Sequence, residues 1–273
     1  MSTDPWRALD DADTVLVVHA HPDDESLSTG ALLTSLAASG TRVELVTATR
    51  GEEGEVVPGS VASEDTRPLD MIREAEIDAA TAILGLAARY MLGTAPALAD
   101  GAGPRIYRDS GMQWVREGLA GPSETAGPES FTHRRLQDAI DDLAALIAHV
   151  GPDVVIGYDD GGTYGHPDHV HAHHVTAAAC ARTGSVMIEV ASAPETSITE
   201  TGGTDGSGFI WRDHPGTADI VRRAVESYRT QLTVVETVGA DSGAGDGSGG
   251  IRIRHVGGQD DVVALRTGLR VRE

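Results

Sequence analysis

The sequence predicts an α/β fold: a Rossmann-like, mostly parallel sheet with helices on both faces and a small C-terminal β appendage. Three observations lead there. Apolar, branched runs of strand length alternate with amphipathic helical stretches up to about residue 192, the pattern of repeated βαβ units. Two of the apolar runs end in polar clusters that each open a helix, which puts both clusters on the carboxyl rim of the sheet, where open α/β sheets bind ligands. After residue 233 the helical period gives way to short β-type runs around glycine-rich sequence. Residues 1–192 thus read as the catalytic core, and 193–273 as a helix and β appendage completing the same domain.

Taken in order, the run from Val15 to His19 is apolar until its end and reads as a buried strand. Leu27, Leu32, Leu33 and Leu36 have helical spacing, so 25–39 reads as one helix, with Gly40 as its C-cap. Residues 42–47 alternate and are rich in branched side chains, giving a second strand. A polar loop through Gly51-Glu-Glu-Gly-Glu55 runs to about residue 67. Leu69, Ile72, Ala79, Ile83 and Leu84 mark a helix closed by Gly85, and a short strand follows near 89–92. Residues 93–127 read as irregular. Leu136, Ile140, Leu143 and Ile147 give the strongest helical period, stopped by Gly151-Pro152. Residues 153–158 form a buried strand, the helix opened by the second cluster runs to about 181, and 186–190 is strand-like. Residues 196–208 read as a mobile loop. Val221, Ala224, Val225, Tyr228 and Leu232 predict a last amphipathic helix. Strand candidates at 232–238 and 251–255 flank a low-complexity segment at 239–250, with a third near 262–266.

The chain has 273 residues and a formal charge of -21, which argues against nucleic-acid or anionic-membrane partners. It contains no lysine. Cys180 is the only cysteine, so no disulfide framework exists and a reducing interior is expected. No apolar run approaches the ~20 residues of a membrane span, and residues 1–13 lack the features of a signal peptide. A cytoplasmic protein is expected; a homo-oligomer stays open.

The chemistry sits in His21-Pro-Asp23-Asp24-Glu25 and Tyr164-Gly-His166-Pro-Asp168-His169. Two carboxylates beside one histidine, facing a second histidine pair, can supply the mixed nitrogen and oxygen donors of a catalytic zinc with one position left for water. Hard ions such as magnesium prefer all-oxygen donors, so the histidines favour zinc or a neighbouring transition metal such as Fe2+. A carboxylate that is not a ligand can take the water's proton.

These paired motifs resemble those of the PIG-L/LmbE family of zinc-dependent de-N-acetylases, over about residues 14–180. Within it, Gly51-Glu-Glu-Gly-Glu-Val56, Arg73, Arg108-Asp-Ser-Gly-Met112 and Thr230-Gln231 look like the mycothiol-biosynthesis members, which remove acetate from an N-acetylglucosaminyl-inositol. The resemblance implies that His21, Asp24 and His169 bind zinc and that Asp23 is the general base. It makes His166, oriented by Asp168, the group that stabilises the oxyanion or protonates the leaving amine, with Tyr164 helping to hold the oxyanion. It also places Arg73 and Asp109 on sugar hydroxyls and Glu55 near the aglycone. The implied partner is a small N-acetylated amino-sugar. Beyond about residue 190, and in the glycine-rich stretches 201–208 and 239–250, the sequence departs from the mycothiol-type pattern, which leaves the aglycone open. An amidase of mycothiol S-conjugates, a deacetylase of another amino-sugar or secondary metabolite, and a non-catalytic metal-binding protein are the alternatives. Gly165 favours the deacetylase type, because amidase members usually carry proline before the second motif.

Other residues have plainer readings. His19 is expected to pack behind the ligands, and so are His171, His173 and His174, although His173 lies four after His169, a spacing that can bind zinc. Arg73 and Glu76 could form an ion pair instead of meeting substrate. Asp109 could serve a turn, and the acids of the 51–55 loop could simply be solvated. Cys180, among alanines, reads as a buried inert thiol.

Overall fold

A computed structural model describes residues 4–116, 119–124, 126–192, 208–238 and 249–272. Helix α1 (Pro5–Asp10) is capped by the Asp4 carboxylate, which accepts from the N–H groups of Trp6 and Arg7. Then come β1 (Thr14–His19), α2 (Asp24–Ser28), α3 (Gly30–Ser39), β2 (Arg42–Thr47), α4 (Leu69–Leu84) and β3 (Ala88–Met91). A hairpin of β4 (Met112–Arg116) and β5 (Leu119–Pro122) precedes α5 (Leu136–Val150), β6 (Val154–Tyr158), the single turn α6 (Gly162–Gly165), α7 (Pro167–Thr183) and β7 (Val186–Val190). The remainder comprises β8 (Ile210–Asp213), α8 (Ala218–Val225), β9 (Leu232–Val238), β10 (Gly250–His255), β11 (Asp260–Ala264) and β12 (Arg266–Val271).

The main sheet has seven strands in the order β3-β2-β1-β6-β7-β12-β8. Pairings from β3 through β7 are parallel, and β12 runs antiparallel to both β7 and β8. Val15 and Val17 of β1 face one core with Leu33 of α3, Ile77 of α4 and Val221 of α8. Leu16 and Val18 face the other with Leu143 of α5 and Val175 of α7. Burial on both faces is why the strand reads as an unbroken apolar run rather than an alternating one. Strand order reverses between β1 and β6, so the loops leaving these two neighbours open a crevice at the carboxyl rim. That crevice receives both polar clusters.

The structure departs from the sequence reading in four places. The helix expected over 25–39 is broken at Thr29 (φ -128°, ψ 1°). Its hydroxyl donates to the Glu25 carbonyl and lies 2.9 Å from Nε2 of His19, so the side chain is committed to the strand below. Residues 93–127, read as irregular, contain the β4–β5 hairpin. The last helix stops at Val225; Tyr228 and Leu232 are buried in the turn that follows and at the start of β9. Of the tail, β9, β10 and β11 form a separate three-stranded antiparallel sheet, while β12 and β8 extend the main sheet. The mobile-loop reading at 196–208 and the glycine-rich stretches 201–208 and 239–250 lie outside the described residues except for 208, 249 and 250. Among the described residues no helix is long and apolar enough to cross a membrane.

Candidate metal centre

The turn after β1 is set by Asp23, whose φ of +95° is left-handed, a conformation that costs a non-glycine residue free energy and recurs at active sites. Its carbonyl accepts the N–H groups of Ser26 and Leu27 as α2 begins. Gln231 pins the same turn from across the fold, donating to the Pro22 carbonyl at 3.0 Å. This fixes His21 and Asp24 against the amino end of α7, where His169 projects.

Three donor atoms converge there. Nδ1 of His21 is 3.1 Å from Nε2 of His169, and Oδ2 of Asp24 is 3.3 Å from each of them. A tetrahedral ion with bonds near 2.1 Å has ligand-to-ligand edges of roughly 3.4 Å. Two imidazole nitrogens and one carboxylate oxygen at this spacing fit a divalent metal ion. Two other groupings in the same pocket bring three donors within 4.8 Å: His21, His166 and His169, and His21, Asp109 and Asp168. They fit less well, because His166 Nδ1 already accepts the Asp168 N–H and the two aspartates address the opposite nitrogen of His21.

Each donor is oriented from behind. Nε2 of His21 lies 3.1 Å from Oδ2 of Asp168, which also accepts the Ser110 N–H at 2.9 Å. Nδ1 of His169 lies 3.1 Å from the Thr163 hydroxyl. Thr163 itself is strained (φ 62°) and is held by its N–H to Ser192 at 2.5 Å. Oδ2 of Asp24 accepts from the Tyr158 hydroxyl at 2.7 Å and from the His21 N–H at 2.8 Å. Tyr158 in turn accepts the Ala20 N–H, sits 3.1 Å from His19, and stacks on His169 with centroids 4.4 Å apart. Such supports fix ring orientation and tautomer in metal sites.

The electrostatics favour a cation. Burial opposes charge on His21, yet Asp109, Asp168 and Asp24 raise its pKa well above the ordinary value. Burial likewise opposes ionisation of Asp24, but His169 and His21 hold it well below the ordinary carboxylate range. Asp23 is pushed up by burial and by the charges of Asp24 and Glu25.

His166 corrects an expectation. The Asp168 carboxylate does not pair with it; Asp168 gives it only a backbone N–H, at 3.2 Å to Nδ1. Burial and the neighbouring His21 and His169 lower its pKa to about 2. With Nδ1 accepting that N–H, Nε2 is the nitrogen left to donate, and the lowered pKa disfavours the charged ring.

The centre floors a cleft of about 640 Å³ whose lining includes Asp23, Tyr164, His166, Arg73 and Asp109. Arg73 is fully buried and donates through Nη2 to the carbonyls of Gly54 and Glu55, both at 3.0 Å. Its Nε and Nη1 have no hydrogen-bond partner among the described residues. The alternative ion pair with Glu76 is not formed, because that carboxylate takes the N–H and hydroxyl of Thr230. Asp109 Oδ1 lies 3.6 Å from His21 Nε2 and accepts the Gly111 N–H at 2.8 Å, so it serves turn and site together. Glu55 is not brought in: its side chain is exposed and away from the cleft lining, and only its carbonyl contributes. His19 packs behind the ligands as expected. His173 is not a ligand; it lies 2.8 Å from the Tyr158 carbonyl and 3.0 Å from Arg272. Cys180 is buried, its thiol pushed up to about 12 by burial. The sequence reading missed Tyr158, Thr163, Ser110 and Gln231 as supports. Ser110 and Gln231 stood within the motifs quoted for the resemblance, and Tyr158 closes a buried strand; their supporting contacts come from distant parts of the chain.

The chain is 42% identical over 170 residues to a 1D-myo-inositol 2-acetamido-2-deoxy-alpha-D-glucopyranoside deacetylase of Nocardioides sp. (strain ATCC BAA-499 / JS614), covering 61% of this chain and 53% of that protein. It is 38% identical over 191 residues to deacetylase 1 of the same description from Saccharopolyspora erythraea, covering 69% and 60%. The chain spans about half the length of the curated relatives it matches. Among solved structures it shares its fold with the N,N'-diacetylchitobiose deacetylase of Pyrococcus horikoshii (TM-score 0.55, 19% identity, 83% of this chain and 73% of that one). The A40926 pseudoaglycone deacetylase Dbv21 is similar to the same degree (TM-score 0.55, 18% identity, 80% and 82%). The profile of the PIG-L family, described as GlcNAc-PI de-N-acetylase, matches residues 16–180. That span holds most of β1 through most of α7 and all three donors of the candidate metal centre, and on it the chain belongs to the PIG-L family.

Proposed function

We propose that the protein is a zinc-dependent hydrolase that removes the acetyl group from an N-acetylglucosamine-type conjugate, such as N-acetylglucosaminyl-inositol. The observation that carries this reading is the triangle of His21 Nδ1, His169 Nε2 and Asp24 Oδ2, with the Asp23 carboxylate and the His166 imidazole lining the same cleft. The named activity of the curated relatives supports the substrate class.

His21, Asp24 and His169 would hold the ion, and their mixed donor set suits zinc. When bound, such an ion lowers the pKa of water to about 7 and polarises a carbonyl. Asp23, with its raised affinity for a proton, takes the proton released as water adds to the acetamide carbon and passes it to the departing amine. The carbon–nitrogen bond breaks, leaving acetate and the free amino-sugar. His166 Nε2–H and the Tyr164 hydroxyl are the donors for the developing oxyanion. A preorganised donor of this kind is typically worth ~3 kcal/mol. Arg73, through Nε and Nη1, and Asp109 bind sugar hydroxyls. The segment after residue 192 belongs to the same catalytic unit, and the setting is the cytoplasm.

Acetate release from N-acetylglucosaminyl-inositol, measured beside metal content, tests the reading. One zinc per chain with acetate release that chelation abolishes is expected. A metal-loaded protein that cleaves a mycothiol S-conjugate in preference, or releases no acetate, would sink it.

A further inference from the structure

The cleft has a second end that the metal centre does not use. From the carboxyl ends of β6 and β7 it continues past Ala191 and Ser192 to Gly268 of β12, Trp211 of β8 and Asp261 of β11. None of β8, β11 and β12 lies within the segment matched by the family profile, 16–180. This wall is therefore built from the part of the chain where a distal portion of the substrate would be distinguished.

The indole of Trp211 is laid on β12 opposite Gly268, its register partner. A Cβ at Gly268 would come within 2.7–2.8 Å of the indole carbons, so only glycine lets the ring lie there. One polar group stands beside it, and two more line the same cleft. The Arg266 guanidinium lies 5.8 Å from the indole centroid, with its Nε 3.5 Å from Asp213. Asp261 Oδ2 lies 3.4 Å from His255 Nε2, and both residues line the cleft. A flat aromatic surface beside a guanidinium, in a cleft that also holds a carboxylate and an imidazole, suits a ring with an apolar C–H face and a rim of hydroxyls. The Arg266 guanidinium faces the Asp213 carboxylate, so no excess positive charge is offered there to a phosphate. A long acyl chain would bury these polar groups without partners.

We propose that Trp211, with Asp261 and Arg266, forms a subsite for a second, uncharged, hydroxylated six-membered ring joined to the amino-sugar whose acetamide sits at the metal centre. The inference rests on the deacetylase reading. The stacked ring sets which glycoconjugate is accepted, and it is remote from bond cleavage.

The test uses the zinc-loaded protein, Trp211→Ala and Trp211→Phe. kcat/KM is measured for acetate release from N-acetylglucosaminyl-inositol and from N-acetylglucosamine, and binding of N-acetylglucosaminyl-inositol is measured by calorimetry. Trp211→Ala should lose about tenfold in kcat/KM and affinity for the two-ring compound. Turnover of the single ring should stay within about twofold, and Trp211→Phe should recover much of the loss. Equal loss on both compounds, or no loss on either, overturns the subsite. Acetate release from neither compound by the unsubstituted protein defeats the deacetylase reading, and calorimetry then decides the subsite alone. Binding weakened about tenfold by Trp211→Ala supports it; unchanged binding, or none to the unsubstituted protein, overturns it.

Discussion

Oδ2 of Asp168 lies 3.1 Å from Nε2 of His21, so this carboxylate steers the imidazole that would hold the metal and leaves His166 to a backbone N–H. Asp168→Asn should therefore weaken metal binding by about 10- to 100-fold, the usual cost of removing a partner behind a ligand. Competition with a chelator measures this. Unchanged metal affinity with lost turnover would instead return Asp168 to His166.

Asp23→Asn should fold and bind metal, since asparagine is among the residues that best tolerate the left-handed backbone found there. Turnover should fall by about 10²- to 10⁴-fold, because the amide cannot take the water's proton. Metal analysis and kcat on the same sample check both halves.

Gly54→Ala should act on Arg73. The added Cβ would stand 2.8 Å from Nη1 and 3.1 Å from Nη2 of a guanidinium that is buried and tied to two carbonyls. Displacing it should raise KM by about tenfold with a smaller change in kcat, the signature of lost ground-state binding. A fall in kcat at constant KM would place Arg73 in the chemical step.

Stability should fall in acid through His214, which is buried, remote from the metal centre, and 3.1 Å from the Ser35 hydroxyl. Burial, with help from Arg212, lowers its pKa from 6.5 to about 4. The unfolded imidazole takes a proton as pH drops below 6.5 while the folded one resists until about 4, so protonation favours unfolding across that window. The contribution is complete above 6.5 and lost towards 4, on the order of 3 kcal/mol in all. Urea unfolding at about pH 7 and about pH 5 should show the drop, and His214→Gln should reduce it.

What could be read from sequence was local. The strands at Arg42–Thr47 and Val186–Val190 and the helix Leu69–Leu84 match their predicted ranges, since period and end signals lie within each segment. Both site turns were legible for the same reason. What escaped depends on partners far away in the chain. The Thr29 break follows from a contact with His19. The importance of Tyr158 comes from bonds to Ala20 and Asp24, 138 and 134 residues earlier. Glu55, placed near the aglycone by resemblance alone, has an exposed side chain, and its carbonyl accepts from Arg73. The place of β12 in the main sheet is a pairing choice that no window of sequence contains.

That strand has a consequence during synthesis. β12 pairs with β7, so during synthesis one edge of β7 has no β12 to pair with until residues 266–271 have been made. Until then residues 186–190 offer bare amide and carbonyl groups to any passing chain. Substitutions that slow the docking of 266–271 should thus show themselves as poor yield and aggregates from translation, even where the finished molecule tolerates them.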